Sequence, residues 1–555
     1  MTSYDPFLAD RLDARVAGFC RFRPELAAFH DWVLTAVDAQ AAATDRDAPP
    51  RLETYDRDGR VVNRIVCNPT YDAQHREVYA RGIVGRPYRD GAPHLLSFAM
   101  GYLLSQADIS LHCPVTLTGA VAYVLGHFAP APLRDRYLPE LTRTDGLAKT
   151  GGTWATELHG GSDVGATTTA ARPRGAGFAL HGLKWFTSNA NSGLALATAR
   201  PTGAPPGSAG LGLYLVPSHL DDGQVNHYRV RRLKAKLGTT GLPTGEIDLS
   251  GAEAVEVAAP PHGLRLMLEA LTYSRVHNAV GAAGAQRRAV REAVAWATHR
   301  RAFGQAIVRY PMVQDTLVEL AVRWRAGTLL AFEAAGALDD ALRDPARRTW
   351  LRVSTSLAKY LTADDAVAAA RATLELMGGN GYTRDYPAER LLRDAQVLTV
   401  WEGPANIQAL ELLRMLDARY GGFAAYEARV GDVLAALPDG LAPLRDALDR
   451  RLAGDRHAVR VTTASPDVGP VYARRLLHRL AGSLALALLV EDAARRAPCG
   501  DPVPAAAALA YAELIDPPTF GADDRAARAT VLDALVREAA ASPGVGTAAG
   551  PTALR

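Results

Sequence analysis

The chain predicts an α+β protein of several domains, with an N-terminal all-α domain, a central β domain, a C-terminal four-helix bundle and an extra helical region beyond it. Three observations predict it. Helical apolar spacing runs through the first part of the chain. From about 149 it gives way to short Thr-, Val- and aromatic-rich runs punctuated by glycine. From about 262 the helical period returns and persists. The expected boundaries are 1–148, 149–255, 262–420 and 421–555. A length of 555 residues accommodates roughly two to four domains.

In the first region, Pro24 to Ala43 and Pro93 to Leu111 carry helical apolar spacing. A looser Pro/Arg/Asp-rich piece, about 45–65, separates them. Cys113 to Thr118 reads as a break, with helix resuming over Gly119 to Phe128 and again over Arg134 to Leu141. In the second region, Phe178 to Phe186, Leu194 to Thr198, Leu211 to Val216, Tyr228 to Leu233 and Gly245 to Leu249 have strand length and pattern. In the third, Val276, Val280, Ala283, Val290 and Val294 mark one long helix. Met312 to Leu338 and Trp350 to Met377 mark two more, and a fourth follows Pro404, the count of a bundle. Gly421-Gly422 marks a boundary. Beyond it the chain is alanine-rich and helical, for example Tyr472 to Arg496, and the tail after Ala541 is expected to fray.

Composition narrows the function. Apolar residues make up 48% and charged residues 22%, with a net charge of +3. That balance is globular and gives no support to a nucleic-acid or membrane partner. Cys20, Cys67, Cys113 and Cys499 form no CxxC pair, which fits a reducing compartment and argues against zinc or a disulfide framework. No signal peptide is visible, and the longest apolar run, Leu484 to Val490, is too short to span a bilayer. The expectation is a cytoplasmic protein with no metal.

The stretch Leu391 to Arg414 is the most informative. An apolar run ends in Trp401-Glu402-Gly403-Pro404, and Ile407, Leu410 and Leu413 then recur at helical spacing. Pro404 sits where a helix begins. Glu402 is therefore a carboxylate at a helix mouth, between a bulky indole and a glycine that lets backbone approach a ligand. Two readings stand on these residues alone: a general base, or an acidic residue stabilised by the helix dipole.

Met377-Gly378-Gly379-Asn380-Gly381-Tyr382, Tyr386-Pro387, Arg393-Asp394, Trp401-Glu402-Gly403 and Asn406-Ile407-Gln408, in this order and spacing, resemble the C-terminal signature of the FAD-dependent acyl-CoA dehydrogenases. The resemblance makes Glu402 the catalytic base. Thr156-Glu157 with Gly160-Gly161-Ser162-Asp163 resembles the family's glycine loop, in which Thr156 and Gly161 would meet the flavin and Ser162 both flavin and acyl chain. Lys184-Trp185-Phe186-Thr187-Ser188-Asn189 is similar to a family strand that puts an aromatic, here Phe186, over the isoalloxazine, and a hydroxyl, here Ser188, near N5. Arg300 and Phe303, in Arg300-Arg301-Ala302-Phe303-Gly304-Gln305, match a segment whose arginine meets the FAD pyrophosphate, commonly across a subunit boundary. A planar guanidinium suits that task. Gly378 and Gly379 would approach the adenine half, and Asn406 would contact the cofactor. Arg275, Trp401 and Gly403 would lie against the substrate; for Arg275 an ion pair to a helix carboxylate is an equal reading.

The resemblance implies a mechanism: α,β-dehydrogenation of an acyl thioester, with Glu402 abstracting the α proton and flavin N5 accepting the β hydride. The thioester carbonyl would accept hydrogen bonds from a backbone N–H near Glu402 and from the ribityl chain. It also implies FAD as cofactor, CoA or a carrier protein as acyl carrier, an electron-transfer flavoprotein or other acceptor, and a homotetramer. Cys113 to Thr118, the His159-Gly160-Gly161-Ser162-Asp163-Val164 loop and Lys234-Ala235-Lys236-Leu237-Gly238 look closer to the alkylation-response, AidB-like branch, as does the helical extension. That branch supplies the alternative: a flavoprotein that binds DNA and protects against alkylation damage. From 421 to 555 there are 15 Arg and no Lys against 16 Asp and Glu, which does not favour a DNA-binding face. Two departures stand out. Pro404 replaces a family threonine or serine, and Thr240 stands where the Lys-Leu-Gly segment commonly has a basic residue.

Overall fold

In a computed structural model, residues 5–517 and 525–541 are described; the tail expected to fray lies outside them. They fall into two compact units. One is formed by Thr35–Gly281 and Gln396–Ile407, the other by the described residues of 5–34, 282–395, 408–517 and 525–541.

The chain opens with helices α1 (Pro6–Arg15), α2 (Arg23–Trp32) and α3 (Asp38–Asp47). A π-turn, Val33–Val37, joins the last two, so the helix expected over Pro24 to Ala43 is present with a wide turn in its middle. The polar piece that follows is a hairpin, β1 (Arg51–Tyr55) with β2 (Val61–Val66) antiparallel, and not the loose segment expected. Its inward residues Leu52 and Ile65 pack on the β core, while charged side chains hide the strand pattern.

Helices α4 (Pro69–Ala80), α5 (Arg86–Arg89), α6 (His94–Leu104), α7 (Ile109–His127) and α8 (Ala131–Leu141) complete the N-terminal region. The helix expected over Pro93 to Leu111 breaks at Ser105–Asp108, where Asp108 caps the next helix by accepting from Leu111 N at 3.1 Å. The break expected at Cys113 to Thr118 is absent: α7 runs straight through Pro114. Its first turns are held by that cap, and Thr116 and Thr118 donate their hydroxyls back to the carbonyls of His112 and Pro114. Every residue from Ile109 to Leu125 is buried, so packing outweighs the bond that proline forfeits. Alone among the described helices, α7 is long and apolar enough to cross a membrane, but it lies inside the fold. Beside it, His112 Nε2 and His277 Nδ1 are 3.1 Å apart, and His277 Nε2 lies 3.3 Å from the Tyr273 hydroxyl.

The β region comprises β3 (Gly151–Trp154), β4 (Ala170–Arg174), β5 (Gly177–Ser188), β6 (Leu194–Pro201), β7 (Gly212–Pro217), β8 (Tyr228–Leu233) and β9 (Thr244–Ala258). All the expected strands are present, with β3 and β4 in addition. The order is β3-β6-β4-β5-β9-β7, with β8 on β9. Because β6 also pairs with β7, five strands close into a small barrel. Trp154, Leu180, Tyr214, Val230, Ile247 and Leu249 fill it.

The long helix α9 (Gly263–His299) is followed by a two-residue hairpin, β10 (Arg301–Ala302) with β11 (Gln305–Ala306). Helices α10 (Pro311–Arg343) and α11 (Arg348–Met377) come next, then α12 (Pro387–Leu398) and α13 (Ala405–Leu416). Sequence spacing places a fourth bundle helix after Pro404; α12 precedes the turn as well. The extra region is helical throughout its described residues: α14 (Gly422–Ala435), α15 (Ala442–Thr462), α16 (Gly469–Arg496), α17 (Val503–Ile515) and α18 (Arg525–Ala541). The apolar run Leu484 to Val490 is buried within α16. Arg429 of α14 donates to Glu333 of α10 at 3.0 Å and ties the extension to the bundle.

Candidate active site

The turn between α12 and α13 carries Glu402. Trp401 N donates to Val397 O at 3.0 Å and closes the end of α12. Glu402 then adopts φ +59° and Gly403 φ +95°. The left-handed region costs a non-glycine residue about 1–2 kcal/mol, so something outside the turn must hold Glu402 there. Two side chains of α9, one turn apart, do so. Arg275 Nε donates to the Glu402 carbonyl at 2.9 Å. Asn278 accepts from Trp401 Nε1 and donates to Leu398 O at 3.3 Å. Arg275 thus meets the turn's backbone at this contact, where sequence reading weighed substrate against a helix carboxylate. Cys113 and Leu117 of α7, with Leu242, form the buried apolar floor on which Trp401 packs.

The barrel contributes the facing side. Between Lys184 and Thr187 the β5–β9 register shifts, so Trp185 and Phe186 together oppose Glu246. A bulge of this kind re-aims side chains. Phe186 takes φ +52° and stands 59% exposed. Lys234 Nζ sits 3.2 Å from the centroid of the Trp185 ring and 4.7 Å from that of Phe186. Ser188 is half-buried, directly opposite Thr244 across the β5–β9 pair, with the two hydroxyls 3.4 Å apart. Lys236 Nζ donates to Thr244 Oγ1 at 3.1 Å and to the carbonyls of Thr239 and Leu242 at 2.7 Å each. Burial pushes the Cys113 thiol up to about 12; the neighbouring Glu402 carboxylate adds to the rise, against Lys236 and a Ser188 hydrogen bond. Ser188, Lys236 and Glu402 therefore each lie within electrostatic reach of Cys113.

The glycine loop is anchored by Glu157. Its oxygens accept from Lys184 Nζ at 2.9 Å and from the hydroxyls of Thr168 and Thr169 at 2.6 Å each. Burial opposes ionisation, but the Lys184 charge and these hydrogen bonds win and hold the carboxyl at about 2. Thr156 O accepts from Trp185 N at 2.9 Å, which joins the loop to the bulge. A Cβ on Gly161 would lie 2.6 Å from Thr156 Oγ1, so only glycine lets the loop fold over that hydroxyl. Gly161 and Ser162 are exposed. An exposed aromatic face, a half-buried hydroxyl beside it and a glycine loop with open backbone fit a flat ring bearing a phosphate tail.

Asn406, at the start of α13, is exposed in the same unit. In the other unit, Arg300 closes α9 by donating its N–H to Trp296 O at 2.8 Å. Phe303 is the tip of the β10–β11 hairpin, at φ +47° and 97% exposed. Gly378 takes φ +63° at the end of α11, and neither it nor Gly379 has an atom within 4 Å of where a Cβ would stand. Sequence reading missed Thr244, Asn278 and the part that Cys113 and Lys236 play. The Lys236-Leu237-Gly238 segment was a signal; Asn278, one residue among many on a long helix, gave none.

Three family models match the chain: the AidB N-terminal domain over residues 2–145, the acyl-CoA dehydrogenase middle domain over 152–252 and its C-terminal domain over 261–416. Acyl-CoA dehydrogenase family member 11 of Caenorhabditis elegans is 32% identical over 452 residues, spanning 78% of this chain and 73% of the relative. The putative acyl-CoA dehydrogenase AidB of Escherichia coli is 31% identical over 386 residues, spanning 67% and 70%. Among solved structures, C. elegans ACDH-11 in complex with C11-CoA superposes with a TM-score of 0.83 at 26% identity, covering 96% of this chain and 90% of that one. A Bacillus anthracis acyl-CoA dehydrogenase complexed with FAD superposes at 0.76 and 15% identity, covering 98% and 93%, and shows the shared fold. With an AidB-type N-terminal region ahead of the middle and C-terminal domains, the chain belongs to the acyl-CoA dehydrogenase family.

Proposed function

We propose that this FAD-dependent acyl-CoA dehydrogenase removes the α proton of an acyl-CoA with the Glu402 carboxylate. The observation that carries the reading is the turn itself: a carboxylate at φ +59°, in a turn fastened by Arg275 and Asn278 and within electrostatic reach of Cys113. FAD, when bound, supplies the acceptor for the hydride that leaves the β carbon. Thr156, Gly161, Ser162, Phe186, Ser188 and Asn406 would hold it, with Arg300, Phe303, Gly378 and Gly379 meeting its phosphate and adenine end. Gly403, Trp401 and Ser162 shape the thioester site. A main-chain N–H of the turn is the donor for the thioester carbonyl, and charge that develops there lowers the barrier to proton loss. Glu402 receives the proton, and Arg275 keeps its backbone from swinging away. The finer assignments belong to the same proposal: domains divided at 1–148, 149–255, 262–420 and 421–555, a homotetramer, a cytoplasmic setting, and an electron-transfer flavoprotein as oxidant.

Anaerobic titration of the purified flavoprotein with an acyl-CoA panel tests the reading. Bleaching of the flavin by a subset of thioesters is expected. In Glu402→Gln the yellow colour stays and reduction slows by at least the roughly 10²–10⁴-fold of a general base. If no thioester bleaches the protein while it retains FAD and binds duplex DNA in a salt-sensitive manner, the AidB-like reading takes its place.

A further inference from the structure

Along one face of α4 lie three rings at helical spacing, Tyr71, His75 and Tyr79, with successive centroids 5.9 and 5.2 Å apart. One end of this ladder is fastened: the Tyr79 hydroxyl and Thr118 Oγ1 of α7 are 2.9 Å apart. The other end is not. Tyr71 is 3% exposed, yet its hydroxyl has no hydrogen-bond partner among the described residues. A buried hydroxyl that gives up its hydration is normally repaid by a partner. Burial is the chief reason its pKa stands well above the ordinary value; Asp108, then Cys67, Tyr79 and Cys113 add to the rise, so all four are within electrostatic reach. Cys113 belongs to the apolar floor on which Trp401 packs, and it lies within reach of Glu402. Tyr71 therefore brings a protonated, unspent hydroxyl to the α4 side of that floor.

Charge narrows what the hydroxyl can meet. The buried Asp108 carboxylate, which caps α7, disfavours an anion there. The cation that reaches Cys113, Lys236, is spent on Thr239 O, Leu242 O and Thr244 Oγ1. The remaining floor, Leu117 and Leu242 with Cys113, is apolar. We infer that Tyr71 is a specificity-determining residue: its hydroxyl donates to an uncharged oxygen, a hydroxyl or keto group, carried by the acyl chain beyond its β carbon. The enzyme then prefers an oxygenated acyl thioester to the plain chain of equal length. The inference deepens the proposed dehydrogenation and rests on the thioester lying against Trp401 and Glu402.

The test reads binding apart from chemistry. FAD-loaded Glu402→Gln protein is titrated with octanoyl-CoA and with its hydroxyl- and keto-bearing counterparts, substituted one carbon at a time from the γ carbon to the chain end. Perturbation of flavin absorbance gives each Kd. At least one oxygenated thioester is expected to bind about tenfold tighter than octanoyl-CoA, the ratio that one net hydrogen bond supplies. Tyr71→Phe, made in the same background, should abolish that preference and leave the Kd of octanoyl-CoA unchanged. A panel in which no oxygenated thioester outbinds octanoyl-CoA, or a preference that survives Tyr71→Phe, would overturn the inference and leave the dehydrogenation standing. Bleaching of Glu402→Gln protein by octanoyl-CoA at the wild-type rate would sink the base assignment instead, and the same ratio would then be read from the concentration dependence of bleaching. No spectral response to any of these thioesters would overturn both.

Discussion

Three side chains expected to meet the cofactor or substrate, Glu402, Phe186 and Phe303, hold φ values of +59°, +52° and +47°. Bulky residues rarely tolerate such angles, and the strain persists only where neighbours impose it. At Glu402 the imposing group is Arg275. Arg275→Met is expected to cost about 1.5–3 kcal/mol, the range for hydrogen bonds from a charged donor, read from urea unfolding. It should also slow flavin reduction about tenfold or more while FAD is retained. Reduction at the native rate would show that the turn keeps its shape unaided. Cys113 gives a second expectation. Its thiol and that of Cys67 are both pushed up to about 12 by burial, whereas Cys20 and Cys499 are exposed. Iodoacetamide at pH 8 should therefore label Cys20 and Cys499 alone in the folded protein, as mass spectrometry will show. The position of Glu402 was legible from its flanking motif. Its backbone angle was not, because only glycine announces a positive φ in a sequence.

At the scale of the element, the glycine loop depends on one buried ion pair. Lys184 is fully buried and Glu157 nearly so. Removing one partner of such a pair strands the other and costs about 3–5 kcal/mol. Lys184→Met should lower the urea midpoint accordingly and loosen FAD, whereas Arg229→Met, whose exposed guanidinium pairs with Asp248 at 3.4 Å, should cost about 1 kcal/mol or less. Equal losses in the two variants would refute this account. Elements were legible in proportion to how far apolar spacing marked them. The strands β5 to β9 and the helices α9 to α11 stood out. The β1–β2 hairpin did not, because Arg51, Glu53, Asp56, Asp58 and Arg64 hide its alternation. Pro114 misled for the opposite reason: a local breaker was overruled by burial along all of α7.

At the scale of the whole molecule, acid should be the weak flank. His94 and His112 are buried, and burial depresses both to about 3; His277 is lowered further in the same direction, with the His112 and His94 charges adding to burial. An unfolded histidine titrates near 6.5. Between these limits the unfolded chain binds more protons, so stability is fully present above pH 6.5 and drains away as pH falls towards 3. Each full unit of separation is worth about 1.4 kcal/mol, and three such groups sum to several. Urea midpoints at pH 8, 6, 5 and 4 should therefore fall steadily below 6.5; a flat profile would contradict the buried, neutral imidazoles. The order of helical, β and helical regions was readable because composition switches sharply near 149 and 262. The closure of the barrel through β6 and β7 was not, since strand partners far apart in sequence leave no local trace.

The fastening of the Glu402 turn has a consequence for protein engineering. The loop is not self-supporting: both of its clamps, Arg275 and Asn278, are supplied by a single helix more than a hundred residues upstream, 127 positions before Glu402 in the case of Arg275. A transplant of Val400 to Pro404 into another scaffold would arrive limp unless these two side chains travelled with it. Exchanges between relatives that keep the pair could alter the loop's own sequence and still present a carboxylate at the same place.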